Sequence, residues 1–157
     1  MALADQIDVR IEDVRKPMTY PDDHFDFIYA RLILHYLSED ELDKTLDEFY
    51  RILKPRGSIF IVVRATDDWE AKLKGSTYDA RTRMTTYPVY DSEGRNTGKT
   101  VSRYFHTVES ISVHLKSAGF RVEYAKKYKE QLYHDYMRTS PVIRKASVIE
   151  ILVKKDP

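Results

Sequence analysis

A strand, a helix and a second strand follow one another within about 40 residues, and this unit limits the folds open to the chain. Phe25-Asp26-Phe27-Ile28-Tyr29-Ala30 is a compact apolar run suited to a buried parallel strand. Ser38 and Glu41 have capping-box spacing, and Asp40 adds negative charge to the first turn. Leu42, Leu46, Phe49, Tyr50 and Leu53 then repeat at helical spacing. The helix should stop at Lys54-Pro55-Arg56-Gly57, where proline cannot continue the hydrogen-bond ladder and glycine can turn. Ser58 to Val63 is a continuous β-branched and aromatic run, expected of a strand covered on both faces. Strand, helix and strand in this order are the mark of a crossover between parallel neighbours, and so of an α/β fold.

The flanking segments extend the pattern. Ile7, Val9 and Ile11 alternate with charged residues and predict a short strand ending at Glu12-Asp13. Residues 64–105 are polar and tyrosine-rich, and within them Met84 to Tyr90 and Lys99 to Phe105 read as a hairpin. Thr107 can cap a helix with Val108, Ile111, Leu115 and Ala118 facing inward and Gly119 as its stop. Phe120 to Ala125 and Ala146 to Lys154 are two further strands. The 157 residues are expected to form one domain, with an insertion over about 65–105 on the substrate side.

Composition removes several classes of function. Twenty-six Lys and Arg against 25 Asp and Glu leave no basic field for a nucleic acid. The short basic runs Arg81-Thr82-Arg83 and Lys126-Lys127-Tyr128-Lys129 therefore read as solvated faces. The absence of cysteine excludes disulfides, thiolate metal sites and cysteine nucleophiles. No basic leader or long apolar run marks a secreted or membrane chain, so the expectation is a cytoplasmic protein. Asp22, Asp23, His24 and Asp26 lie close in sequence and invite a metal reading, but a polar loop is the expected outcome and no metal is assigned.

The wording of the segments adds a resemblance. Phe25-Asp26-Phe27-Ile28, then Leu34-His35-Tyr36-Leu37, then Arg51-Ile52-Leu53-Lys54-Pro55-Arg56-Gly57 resembles a passage of class I S-adenosylmethionine-dependent methyltransferases. Phe105-His106-Thr107 and Ser117-Ala118-Gly119-Phe120 are similar to a later passage of the same family. The resemblance implies a Rossmann-like sheet, mostly parallel, whose last strand runs antiparallel between its neighbours. It makes the strand near Ile7 the family's third, followed by those at Phe27, Ile59, Val122 and Val148. The first two strands have no counterpart, nor does the glycine-rich loop that approaches the cofactor. The chain is thus expected to be the C-terminal part of a catalytic domain, with a homodimer or a separate polypeptide completing it.

The resemblance also implies a site. Asp13 matches the carboxylate that meets the adenine amino group, with the Val14 amide beside it, and Ala30 and Arg31 match positions near the cofactor's methionine portion. Read without the family, Asp13 is an Asp starting a turn before Pro17, and Arg31 a surface arginine. A base is needed only when the methyl acceptor must lose a proton. His35, Tyr36, Tyr104 and His106 are candidates at the expected rim, with Arg64, Tyr78 and Tyr87, and each has a plain packing alternative. The expected activity is methyl transfer from S-adenosylmethionine to a small molecule. The alternative is a non-catalytic methyltransferase-like module that oligomerises or binds a partner.

Overall fold

The computed structural model describes residues 6–157. Strand β1 (Phe25–Arg31), helix α1 (Glu39–Ile52) and strand β2 (Leu53–Arg64) form the predicted unit, and β1 and β2 pair in parallel with Arg31 opposite Val62. The Ser38–Glu41 capping box is formed and fixes the start of α1. A second sheet of β3 (Thr77–Asp79), β4 (Met84–Tyr90) and β5 (Asn96–Arg103) follows, which is the expected hairpin with one outer strand added. Helix α2 (Val108–Ser117), capped reciprocally by Thr107 and Ser110, leads to β6 (Arg121–Glu130) and β7 (Ala146–Lys154).

The main sheet has the order β1-β2-β7-β6, and β7 runs antiparallel to both neighbours. β1, β2 and β6 therefore end on the same side of the sheet, at Arg31, Arg64 and Glu130. Carboxyl ends of parallel strands are where open α/β sheets place their ligands.

The main core lies on one face, and a smaller buried cluster of Val62, Ala146 and Val148 lies on the other. Ile59, Ile61 and Val63 of β2 and Ile149, Ile151 and Val153 of β7 join Leu42, Leu46 and Phe49 of α1 and Ile111 and Leu115 of α2 in one buried cluster. The opposite face carries Phe27, Tyr29 and Tyr124, which are 53%, 59% and 40% exposed. The expectation that β1 is a buried strand is corrected here, because both helices pack on the same side of the sheet and leave Phe27 and Tyr29 exposed on the other.

Two further expectations fail for physical reasons. Residues 7–13 form no strand, and Ile7, Val9 and Ile11 are 69%, 84% and 104% exposed. Alternation describes a half-buried strand only when a neighbouring edge supplies hydrogen bonds, and this segment has none among the described residues. At the end of α1 the left-handed residue is Arg56, with φ 66°, and not Gly57. Glycine is needed at 57 for room, since a Cβ there would lie 2.7 Å from Leu53 Cγ and 2.8 Å from the Lys54 carbonyl oxygen.

Candidate functional site

The four residues implied for a cofactor meet around β1, but not in one hollow. Asp13 and Val14 line a cleft of about 360 Å³ with Glu12, Ile33, Tyr36 and Leu37. A neighbouring groove of about 300 Å³ shares Glu12, Val14 and Ile33 with it and reaches Ala30, Phe27 and Tyr29. Arg31 opens instead on a hollow of about 590 Å³ with Tyr29, Glu130 and Tyr133, and its guanidinium pairs with Glu130. The three spaces follow the free side of β1 and its carboxyl end.

Asp13 starts a turn: its carboxylate accepts the Arg15 amide, its carbonyl accepts the Lys16 amide, and Arg15 Nε and Nη2 donate to it at 2.9 and 2.8 Å. The Arg15 guanidinium holds the carboxyl at about 2, so it is an anion and an acceptor at neutral pH. Leu32, directly after β1, has φ 56°, a left-handed conformation that a leucine adopts only when its surroundings enforce it. Its amide donates to the Val62 carbonyl, which pins the turn to β2.

The acid–base candidates separate. His35 and His106, expected at the rim, are buried in the interior at 1% and 0% exposure. Burial, with Arg103 and Arg64 near His35, lowers its basicity to about 2, and burial lowers His106 to about 3. Both rings are therefore neutral at neutral pH, and His35 Nδ1 and both ring nitrogens of His106 are buried without a hydrogen-bond partner among the described residues. Tyr36 is half exposed in the Asp13 cleft and accepts a hydrogen bond from Arg103 Nη2 at 3.1 Å. Tyr104 is buried, and its hydroxyl lies 3.2 Å from His114 Nε2. Tyr78 is exposed, while burial pushes the Tyr87 phenol well above its usual range. The acidic run near Pro21 is spent on ion pairs: Asp22 with Arg51, Asp23 with Lys155 and Asp26 with Lys54.

Sequence reasoning missed a buried charge cluster at the carboxyl end of β2. Arg64 donates to Asp68 at 2.9 Å, and Asp68 also accepts the Ser147 amide at 2.7 Å. Glu70 lies 3.7 Å from Arg64 and pairs with Arg103, whose guanidinium stacks over Tyr36 and Tyr87. Arg64 was named only as a rim candidate, and Arg103 lay unmarked inside the hairpin strand expected from Lys99 to Phe105. Neither Asp68 nor Glu70 stands out in a polar stretch, since their partners are up to 79 positions away.

Comparison with known proteins bears on this arrangement. Residues 2–61 match a family described as a methyltransferase domain. An S-adenosylmethionine-dependent methyltransferase structure from Methanosarcina mazei superposes with a TM-score of 0.66 at 17% identity, covering 94% of this chain and 66% of its own. The chain has the fold of class I S-adenosylmethionine-dependent methyltransferases. A protein from Pyrococcus horikoshii superposes with a TM-score of 0.64 at 15% identity, covering 92% of this chain and 57% of its own. A Burkholderia thailandensis 1,6-didemethyltoxoflavin-N1-methyltransferase, solved with bound 1,6-didemethyltoxoflavin and S-adenosylhomocysteine, superposes with a TM-score of 0.55 at 14% identity, covering 92% of this chain and 48% of its own. The chain thus spans 57 to 66% of the length of the first two. No curated protein matches the sequence. Among the described residues no helix is long and apolar enough to cross a membrane.

Proposed function

We propose that the chain takes part in methyl transfer from S-adenosylmethionine to a small-molecule acceptor, with the adenine end of the cofactor in the cleft formed by Asp13 and Val14. One observation carries this reading: at the carboxyl end of the parallel pair, an ionised Asp13 and apolar Val14, Ile33 and Leu37 share a single cleft of about 360 Å³. A flat purine with an amino edge needs those two features, apolar walls and a carboxylate acceptor. The residues present fit that end of the cofactor. Ala30 and Arg31, at the end of β1, are assigned to its methionine end, where the bound cofactor supplies an electrophilic methyl group on sulfur. The protein's part is to orient the acceptor, exclude water and receive a proton where the acceptor carries one.

Calorimetry with S-adenosylhomocysteine tests this reading. Binding should give measurable heat, and Asp13→Asn should weaken it about tenfold, the size of one lost charge-assisted hydrogen bond. A silent titration of the folded protein contradicts the reading. It would favour a non-catalytic module instead, which has its own support: the Asp13 carboxylate is already met by Arg15, and the sheet face bearing Phe27 and Tyr29 stands open.

That face and the edge beside it bear on assembly. β1 has β2 on one side and no strand on the other among the described residues. Unpaired amides along an apolar edge recruit a strand from another chain. The reading places a second copy of this chain there, and a separate polypeptide completing the cofactor cleft is its competitor.

A further inference from the structure

Tyr104, His114 and Asp43 come from three elements into one hydrogen-bonded line. Tyr104 follows β5, His114 stands on α2 and Asp43 on α1. His114 Nδ1 is 2.6 Å from Asp43 Oδ1, and His114 Nε2 is 3.2 Å from the Tyr104 hydroxyl. An ionised carboxylate only accepts, so Nδ1 carries the proton of the neutral ring and Nε2 presents a lone pair. Tyr104 therefore donates to Nε2, and its own oxygen keeps its lone pairs for another donor. The other groups near the line are Glu39, 3.9 Å from Nε2 and paired with Arg83 at 3.2 Å, the phenol of Tyr78, and the neutral ring of His106, centred 4.0 Å from that of Tyr104. Tyr104 and His114 are buried, whereas the Asp43 side chain is 52% exposed.

Tyr104 also lines a hollow of about 480 Å³ just beyond the end of β2, with Tyr78, Phe105 and Arg83. Three aromatic rings favour a flat guest, and a guanidinium favours one that becomes anionic. We infer that this hollow binds a hydroxyl-bearing aromatic acceptor and that Tyr104, backed by His114 and Asp43, removes its proton. The inference rests on the methyltransferase reading for the reaction it serves, though binding and proton movement are testable without it. The O–H bond of the acceptor breaks and its proton passes to Tyr104 Oη as the Tyr104 proton moves to His114 Nε2. The freed oxygen pair then forms the O–C bond while the C–S bond of the sulfonium donor breaks, its electrons returning to sulfur. Once the product has left, the Nε2 proton returns to Tyr104 as the Tyr104 proton passes to water in the hollow, which restores the Nδ1–H tautomer held by Asp43. Burial and Glu39 keep Tyr104 a neutral phenol, so the histidine is required to take its proton.

The test uses the full chain with ¹⁵N-labelled histidine and 4-nitrophenol as the probe, at neutral pH. Without probe, His114 should show the Nδ1–H tautomer. With probe, its nitrogens should move to the imidazolium pattern and Tyr104 signals should shift. Tyr104→Phe should keep the tautomer and the probe while losing the imidazolium pattern, and Asp43→Asn should lose both the tautomer and the pattern. An Nε2–H tautomer, a His114 spectrum unchanged at probe saturation, or failure of the probe to bind would overturn the inference. None of these signals depends on S-adenosylhomocysteine, so a failed cofactor site and a failed relay are read separately.

Discussion

Arg56 holds φ 66° at the crest of the Lys54-Pro55-Arg56-Gly57 arch, and its side chain is exposed. Left-handed backbone costs a non-glycine residue about 1–2 kcal/mol, so Arg56→Gly should raise stability by up to about 1 kcal/mol in thermal melts, after glycine's own entropy is offset. Gly57→Ala should do the reverse by about 1–3 kcal/mol, because its methyl would meet Leu53 and the Lys54 carbonyl. A motif can thus be read correctly in sequence while the residue bearing its strain is misplaced, since φ at each position depends on where the strand resumes. Asp68 is the opposite case: nothing in Asp67-Asp68-Trp69 announces it, yet it is fully buried against Arg64 and the Ser147 amide. Asp68→Asn leaves Glu70, 3.7 Å away, as the remaining counter-charge of the buried Arg64 guanidinium and should cost about 3 kcal/mol in urea unfolding.

At the scale of elements, both helices start where their capping residues predict, because a cap is a local interaction between residues three apart. The end of α1 is set from far away. Lys155, beyond β7, donates to the carbonyls of Tyr50 and Leu53 at 2.9 and 2.8 Å and pairs with Asp23. A cation on the last carbonyls of a helix favours its dipole, and Lys155→Met should lower the urea midpoint by an amount equivalent to about 1–2 kcal/mol. β1, β2 and β7 were legible because each is a run of apolar residues at strand length, whereas β6 was legible only as far as Ala125, since its second half, from Lys126 to Glu130, is mostly charged. The strand expected at 7–11 was not realised, since the same alternation lacks an edge to pair with. The Tyr104–His114–Asp43 line was half visible: Tyr104 was a candidate, but its partners lie 10 and 61 positions away on helices whose relative rotation only packing determines.

For the whole molecule, buried His35 and His106 predict a pH dependence. Their folded-state basicities, about 2 and about 3, lie below the ordinary 6.5, so the unfolded chain binds more protons below pH 6.5. Their contribution to stability is complete above that value and is lost as pH falls toward about 3, at about 1.4 kcal/mol per pH unit for each histidine. Asp13 and Glu48, both lowered to about 2, lose their contributions only below about 4 to 4.5, so the window from 4.5 to 6.5 reports the histidines. Urea unfolding across that window should show the slope fall by about half in His106→Asn relative to wild type. Light scattering at micromolar concentration should give a dimer if the β1 edge is paired, and a monomer would contradict the assembly reading. The most direct test of the account is an amide NMR map during titration with S-adenosylhomocysteine. Shifts should concentrate at Asp13, Val14, Ala30, Arg31 and Tyr36, around the carboxyl end of β1; shifts confined to the β3–β5 sheet, or none in a folded protein, would contradict a cofactor site on this chain.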